Sequence, residues 1–165
     1  SERPIAITHA NPSFFHNALR NKSDTVLRAI GESEGMLGFS MYPFHLKNGS
    51  DCTLEDFCQM IAQTAEMIGI DRIGIGSDLC LNWDYKTLEW MRSGRWTTSV
   101  DHGEGSADKL SWPEQPVWFK GAEDFHKVAK GLEDHGFKEV DVAKVMGRNW
   151  LSFFEKSFSG SLIKS

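Results

Sequence analysis

The sequence has no apolar run approaching the ~18 residues of a membrane span, so none of its 165 residues reads as a bilayer-crossing helix. It also lacks a strong charge of either sign. Net charge is −5 and the basic residues are scattered, which argues against nucleic acid as the main partner. Cysteine is sparse: Cys52, Cys58 and Cys80 make neither a CxxC pair nor an even set. A disulfide scaffold and a structural zinc finger therefore have no support, and a reducing, cytoplasmic setting is expected. The opening Ser1-Glu2-Arg3-Pro4 has no hydrophobic core of a signal peptide, and no membrane anchor is expected in this chain. No GxSxG, HExxH or phosphate-binding loop occurs, so a serine nucleophile and a nucleotide-binding loop find no basis. Internal repeats and low-complexity tracts are absent as well.

What remains is a rhythm of short apolar runs and amphipathic stretches. Ile5–Thr8 is too short and too continuously apolar for an amphipathic helix and reads as a buried strand. Residues 24–31 read as a helix that Ser23 or Asp24 can cap and Gly31 can end. Met36–Met41 is a second buried strand, closed by Tyr42-Pro43. In residues 54–69, Leu54, Phe57, Cys58, Ile61, Ala65 and Ile68 share one helical face, with Thr53 as N-cap and Asp56 as a weak capping box. Gly69 stops that helix, and Ile73–Ser77 forms a third strand. Strands and helices alternating over short connections predict βαβ units and a parallel sheet, open or closed into a barrel. Residues 122–135 and 139–157 predict two further helical regions, the second interrupted near Gly147, followed by a frayed tail at 159–165.

In such folds chemistry gathers at the carboxyl ends of the strands. His9, Tyr42 and Asp78 all fall there. His9 is either a metal ligand, the usual use of a neutral imidazole held at a rigid strand tip, or a histidine hydrogen-bonded in the core or loop. Asp78, after Ile73-Gly-Ile-Gly-Ser77, either binds metal, orients a water or shuttles a proton, or it caps the next turn. The two glycines let a neighbouring backbone come close. Arg20 either clamps a carboxylate through two parallel hydrogen bonds or is a solvated surface residue. Residues 79–121 break the rhythm: they read as mostly aperiodic and hold Trp83, Trp90, Trp96, Trp112 and Trp118. A loop this long in a compact domain is functional or disordered, and the tryptophans favour function, as a lid, a substrate wall or a subunit contact. His102, in Asp101-His-Gly-Glu-Gly105, reads as a polar loop residue.

Thr8-His-Ala-Asn-Pro12, Arg20-Asn21, Asp24 with Leu27, Thr53-Leu-Glu-Asp-Phe57, Gly74-Ile-Gly-Ser-Asp78 and Gly147-Arg-Asn-Trp150 follow one another in the order seen in the membrane (renal) dipeptidase family, peptidase family M19. These are zinc enzymes of the amidohydrolase superfamily, and the resemblance runs from Ser1 to about Phe154. It implies an α/β fold, the C-terminal part of a TIM-like (β/α)8 barrel, comprising about strands six to eight and the helices that follow, over residues 1–158. It implies two zinc ions bridged by a glutamate and a hydroxide that attacks a dipeptide's carbonyl. His9 matches the family's last zinc-binding histidine, Arg20 the arginine that holds the substrate carboxylate, and Asp78 the aspartate that accepts and returns a proton. Tyr42, at the second strand tip, and Asn21, beside Arg20, are the further candidates for substrate binding.

Two departures bear on this expectation. The first-strand His-x-Asp, the bridging glutamate and the preceding zinc histidine have no counterparts here, and three strands cannot close a barrel. The chain is therefore expected to be a C-terminal piece, inactive alone and needing the N-terminal half of the same barrel. Where the family has Phe-Asp-Gly after the aspartate, this chain has Leu79-Cys80-Leu81, so the pocket wall differs. Hydrolysis of a dipeptide or similar small amide leads, as a homodimer in the complete protein. A non-peptide small amide or an N-modified amino acid as substrate, and a metal-free binding homologue, are the alternatives.

Overall fold

A computed structural model describes residues 4–92 and 112–158. Trp96, His102 and the 159–165 tail lie outside the described residues.

Three strands, β1 (Ala6–Ile7), β2 (Met36–Phe39) and β3 (Ile73–Ile75), form one parallel sheet in the order β1-β2-β3. Helix α1 (Asp24–Glu32) links the first two, and α2 (Leu54–Ile68) links the second pair. The expected βαβ alternation is present. One face of the sheet carries Leu37, Phe39 and Ile73, all fully buried. They meet Leu27 of α1, Phe57 and Ile61 of α2, and Val128 and Leu132 of α4 (Phe125–Asp134) in a single core. A fully buried phenylalanine such as Phe39 or Phe57 contributes roughly 1.5–3 kcal/mol from burial alone.

The other face is lined by glycine. A Cβ on Gly74 would strike the indole of Trp150, and one on Gly38 would strike both Trp150 and the Thr8 carbonyl. Trp150 lies in α6 (Asn149–Phe158), which follows α5 (Glu139–Ala143) through a wide turn at Lys144–Arg148 broken at Gly147, the expected interruption. The Trp150 Nε1–H donates to Ile75 O at 2.9 Å, and the Asn149 amide donates to Ile70 O and Ile73 O at 2.7 and 2.8 Å. Gly147-Arg-Asn-Trp150 thus pins α6 to β3.

At α2 the expected cap forms: Asp56 N–H donates to Thr53 Oγ1 at 3.0 Å. Lys47 and the Thr53 hydroxyl both donate to the Asp56 carboxylate and hold its pKa below the ordinary value. Gly31 does not end α1; the helix runs on to Glu32, and Gly31 makes room for Ile68 of α2. Burial, assisted by nearby carboxylates, pushes the thiols of Cys52 and Cys58 up to about 12, so both are inert packing groups at neutral pH.

Residues 79–92 differ from the aperiodic reading. Helix α3 (Tyr85–Arg92) starts there, with the Asp84 carboxylate accepting from Thr87 N–H at 2.7 Å and Leu88 buried beneath. The chain returns at Trp118, whose indole N–H donates to Cys52 O at 2.7 Å and whose ring packs on Phe57. Among the described residues no helix is long and apolar enough to cross a membrane.

Candidate active-site edge

His9 and Asp78 leave their strands at the same, carboxyl, end of the sheet. Hydrogen bonding continues past the named strands there: Gly76 N–H donates to Phe39 O at 2.9 Å, and Met41 N–H to Ser77 O at 3.1 Å. On β1 the register pairs Ile7 with Leu37, and the next amide to reach Gly38 O is that of Ala10, at 3.0 Å. A regular ladder would bring His9 there, so Thr8 and His9 bulge by one residue. Bulges re-aim side chains beside active sites. The bulge carries the Thr8 carbonyl over Gly38 and on to Gly76, where a Cβ would overlap it. The backbone that presents His9 therefore rests directly on the backbone that presents Asp78.

The His9 ring is half-buried, and its Nδ1 shares a hydrogen bond of 2.9 Å with the Thr8 hydroxyl. Asp78 is also half-buried and takes a left-handed backbone, φ 57°. That conformation costs of order 1–3 kcal/mol for a residue with a Cβ, and aspartate tolerates it better than most. Cys80 lies close enough for the Asp78 charge to add to burial in raising its thiol pKa.

Arg20 lies elsewhere on this end of the sheet. It is exposed and lines a cleft of about 410 Å³ with His16, Leu19, Pro43, Phe44 and Asn48, between the loops that follow β1 and β2. Asn21 is buried, and its amide is committed to the backbone: Nδ2 donates to His16 O and His45 O at 2.7 and 3.0 Å, and Oδ1 accepts from Asn11 N–H at 3.0 Å. Tyr42 is buried too, its ring packed against Phe44, His45 and Trp112.

Sequence reasoning missed a buried polar knot behind these loops. Asn11 donates to Ser40 O and His45 O at 3.0 and 3.1 Å and accepts from Ser40 N–H at 3.0 Å. The Ser40 hydroxyl shares a hydrogen bond of 2.8 Å with His45 Nδ1. Asn11, Ser40 and His45 are fully buried. No local spacing announces the knot; the only signal was that Asn11 follows a strand tip yet precedes a proline. Replacing Asn11 with alanine strands the buried N–H and C=O of Ser40 and leaves His45 O with Asn21 as its donor, and should lower unfolding free energy by about 2–4 kcal/mol. Denaturant titration of the complete polypeptide checks this, and an unchanged midpoint would contradict it.

One imidazole and one carboxylate at a shared edge suit a metal as part of a ligand set. They are not the whole of one, and among the described residues no three His, Cys, Asp or Glu side chains converge. A second cleft, lined by Glu34, Asp71, Arg72 and Lys156, sits at the amino-terminal end of the strands, away from this edge.

An amidohydrolase from Pseudomonas aeruginosa superposes with a TM-score of 0.82 at 28% identity, over 96% of this chain and 47% of that one. A metallopeptidase from Rhodobacter sphaeroides, solved with a phosphinate mimic of the dipeptide L-Ala-D-Ala, superposes with a TM-score of 0.70 at 20% identity, over 95% of this chain and 37% of that one. A dipeptidase of family M19 gives the same TM-score and identity, with 38% of its length covered. The last two likenesses speak to the fold. The chain spans less than half the length of each of these proteins. The profile of membrane dipeptidase, peptidase family M19, matches residues 1–90, a span that takes in both strand tips and more than half of the chain, and the chain belongs to that family.

Proposed function

We propose that this chain is the carboxyl-terminal part of a TIM-like (β/α)8 barrel, about its sixth to eighth strands, and that the complete polypeptide is a zinc-dependent hydrolase of dipeptides or similar small amides. The observation that carries the reading is the stacking of the His9 bulge on Gly76, which sets an imidazole and a carboxylate at one strand edge. His9 is the zinc ligand this chain contributes, and the other ligands belong to the N-terminal half. Two apolar surfaces support a missing half: Ile5 is exposed at the β1 edge, and Leu151, Phe154 and Phe158 are exposed along α6.

When bound, zinc supplies Lewis acidity and lowers the pKa of water. Asp78 takes a proton from the attacking water and passes it to the leaving nitrogen, which then departs as an amine rather than an amide anion. Arg20 holds the free carboxylate of the substrate and so selects short peptides. Asn21 positions the Arg20 loop through its backbone hydrogen bonds, and Tyr42 supports the wall at Trp112.

Replacing Arg20 with alanine in the complete enzyme should raise KM about 10–100-fold, the worth of a charge-assisted contact, with a smaller change in kcat. Steady-state kinetics on a dipeptide checks this. An unchanged KM would remove the clamp.

A further inference from the structure

We infer that the cleft between the segment leaving Asp78 and helix α3, walled by Trp83, Met91 and Trp112, is the subsite for a bulky apolar side chain of the substrate. The inference rests on the proposed hydrolase reading and adds the substrate class.

Position comes first. Leu79 and Cys80, which follow Asp78 directly, form one wall. The opposite wall is tied to the tip of β2, because Trp112 packs ring to ring on Tyr42 at 5.4 Å and Trp83 on Trp112 at 5.7 Å. The cleft thus opens on the carboxyl end of the sheet, on the Asp78 side, whereas Arg20 lines a different cleft. One end of a short substrate would meet the Arg20 guanidinium, and the other the indoles of Trp83 and Trp112.

Chemistry selects the occupant. Among the described residues no charged side chain lines the cleft; its polar groups are Asn82, Thr87 and the Cys80 thiol. A carboxylate, phosphate or ammonium group would lose its water there and find no counter-charge. An aryl or branched alkyl group would instead cover aromatic faces and the Met91 thioether, both favourable partners for it. Trp83 is 39% exposed and Met91 42% exposed, so the wall keeps apolar surface to give up on binding. The volume, about 390 Å³, falls within the roughly 300–1,000 Å³ of small-ligand pockets. The segment is well anchored: Leu88 is buried and the Asp84 cap holds the start of α3.

The test is kcat/KM on the complete, metal-loaded polypeptide for dipeptides carrying Gly, Ala, Leu or Phe at each position. The wild type should prefer Leu or Phe over Gly at one position by about 10–100-fold, the discrimination typical of an apolar pocket. Trp83→Ala, which removes a wall, and Thr87→Trp, which fills the cleft, should each cut that ratio to about threefold or less. A ratio untouched by both variants, or a wild-type preference for glycine or a charged side chain, would overturn the subsite. Absence of hydrolysis of every dipeptide would instead overturn dipeptides as the substrates of the proposed hydrolase. Calorimetric binding of a Phe-containing dipeptide then decides the subsite: binding lost in Thr87→Trp supports it, and no binding to wild type overturns it.

Discussion

Replacing Asp78 with asparagine in the complete, metal-loaded polypeptide should lower kcat by about 10²–10⁴-fold, the usual worth of a positioned acid–base group, while metal content should stay at the wild-type level. The change is nearly isosteric. Asparagine adopts the left-handed backbone at φ 57° at least as readily as aspartate, so the turn into Leu79 is kept. What is lost is the ability to take up a proton and give it back. Unaltered thermal unfolding together with collapsed turnover assigns the loss to chemistry. Full activity would remove Asp78 from the mechanism, and loss of metal would make it a ligand instead.

Adding a single methyl group at Gly76 should do a different kind of damage. The alanine Cβ would overlap the Thr8 carbonyl oxygen and crowd the Gly38 backbone. Neither obstacle is the end of a flexible side chain; both are main chain held by the ladder around Ala10, Gly38 and Phe39. The bulge must lift, and His9 lifts with it. Overpacking of this kind costs about 1–3 kcal/mol, occasionally more. Gly76→Ala should therefore lose stability, metal and activity together, in contrast to Asp78→Asn. Metal content and thermal unfolding measured on both variants separate the two effects. A Gly76→Ala protein with full metal content would contradict the close stacking of the strand tips.

The strands were legible because they are continuous apolar runs, though only β2 is buried throughout; β1, read as a buried strand, is half-buried with Ile5 exposed. Helix α2 was legible because its apolar face repeats at helical spacing behind a threonine cap. His9 and Asp78 stood out because each ends such a run, with no need of distant partners. Other features depend on contacts that sequence spacing does not encode. The Asn11–Ser40–His45 knot joins two loops whose members are far apart in the chain. Asn21 looked like a neighbour of Arg20 facing substrate, yet its amide is committed to His16 and His45. Helix α3 was obscured because Leu88 is its buried residue while Trp90, Met91 and Tyr85 are exposed. Its apolar residues therefore do not gather on one inward stripe, and only Asp84 marked the start. Gly31 read as a stop signal because its steric role lies in a different helix.

The most direct measurement is the anomalous-scattering position of the metal in crystals of the complete polypeptide. The account predicts an ion about 2.0–2.1 Å from a ring nitrogen of His9, with the Asp78 carboxylate facing the same ion across the strand edge. An ion bound elsewhere, with the His9 imidazole turned away from Asp78, would contradict it.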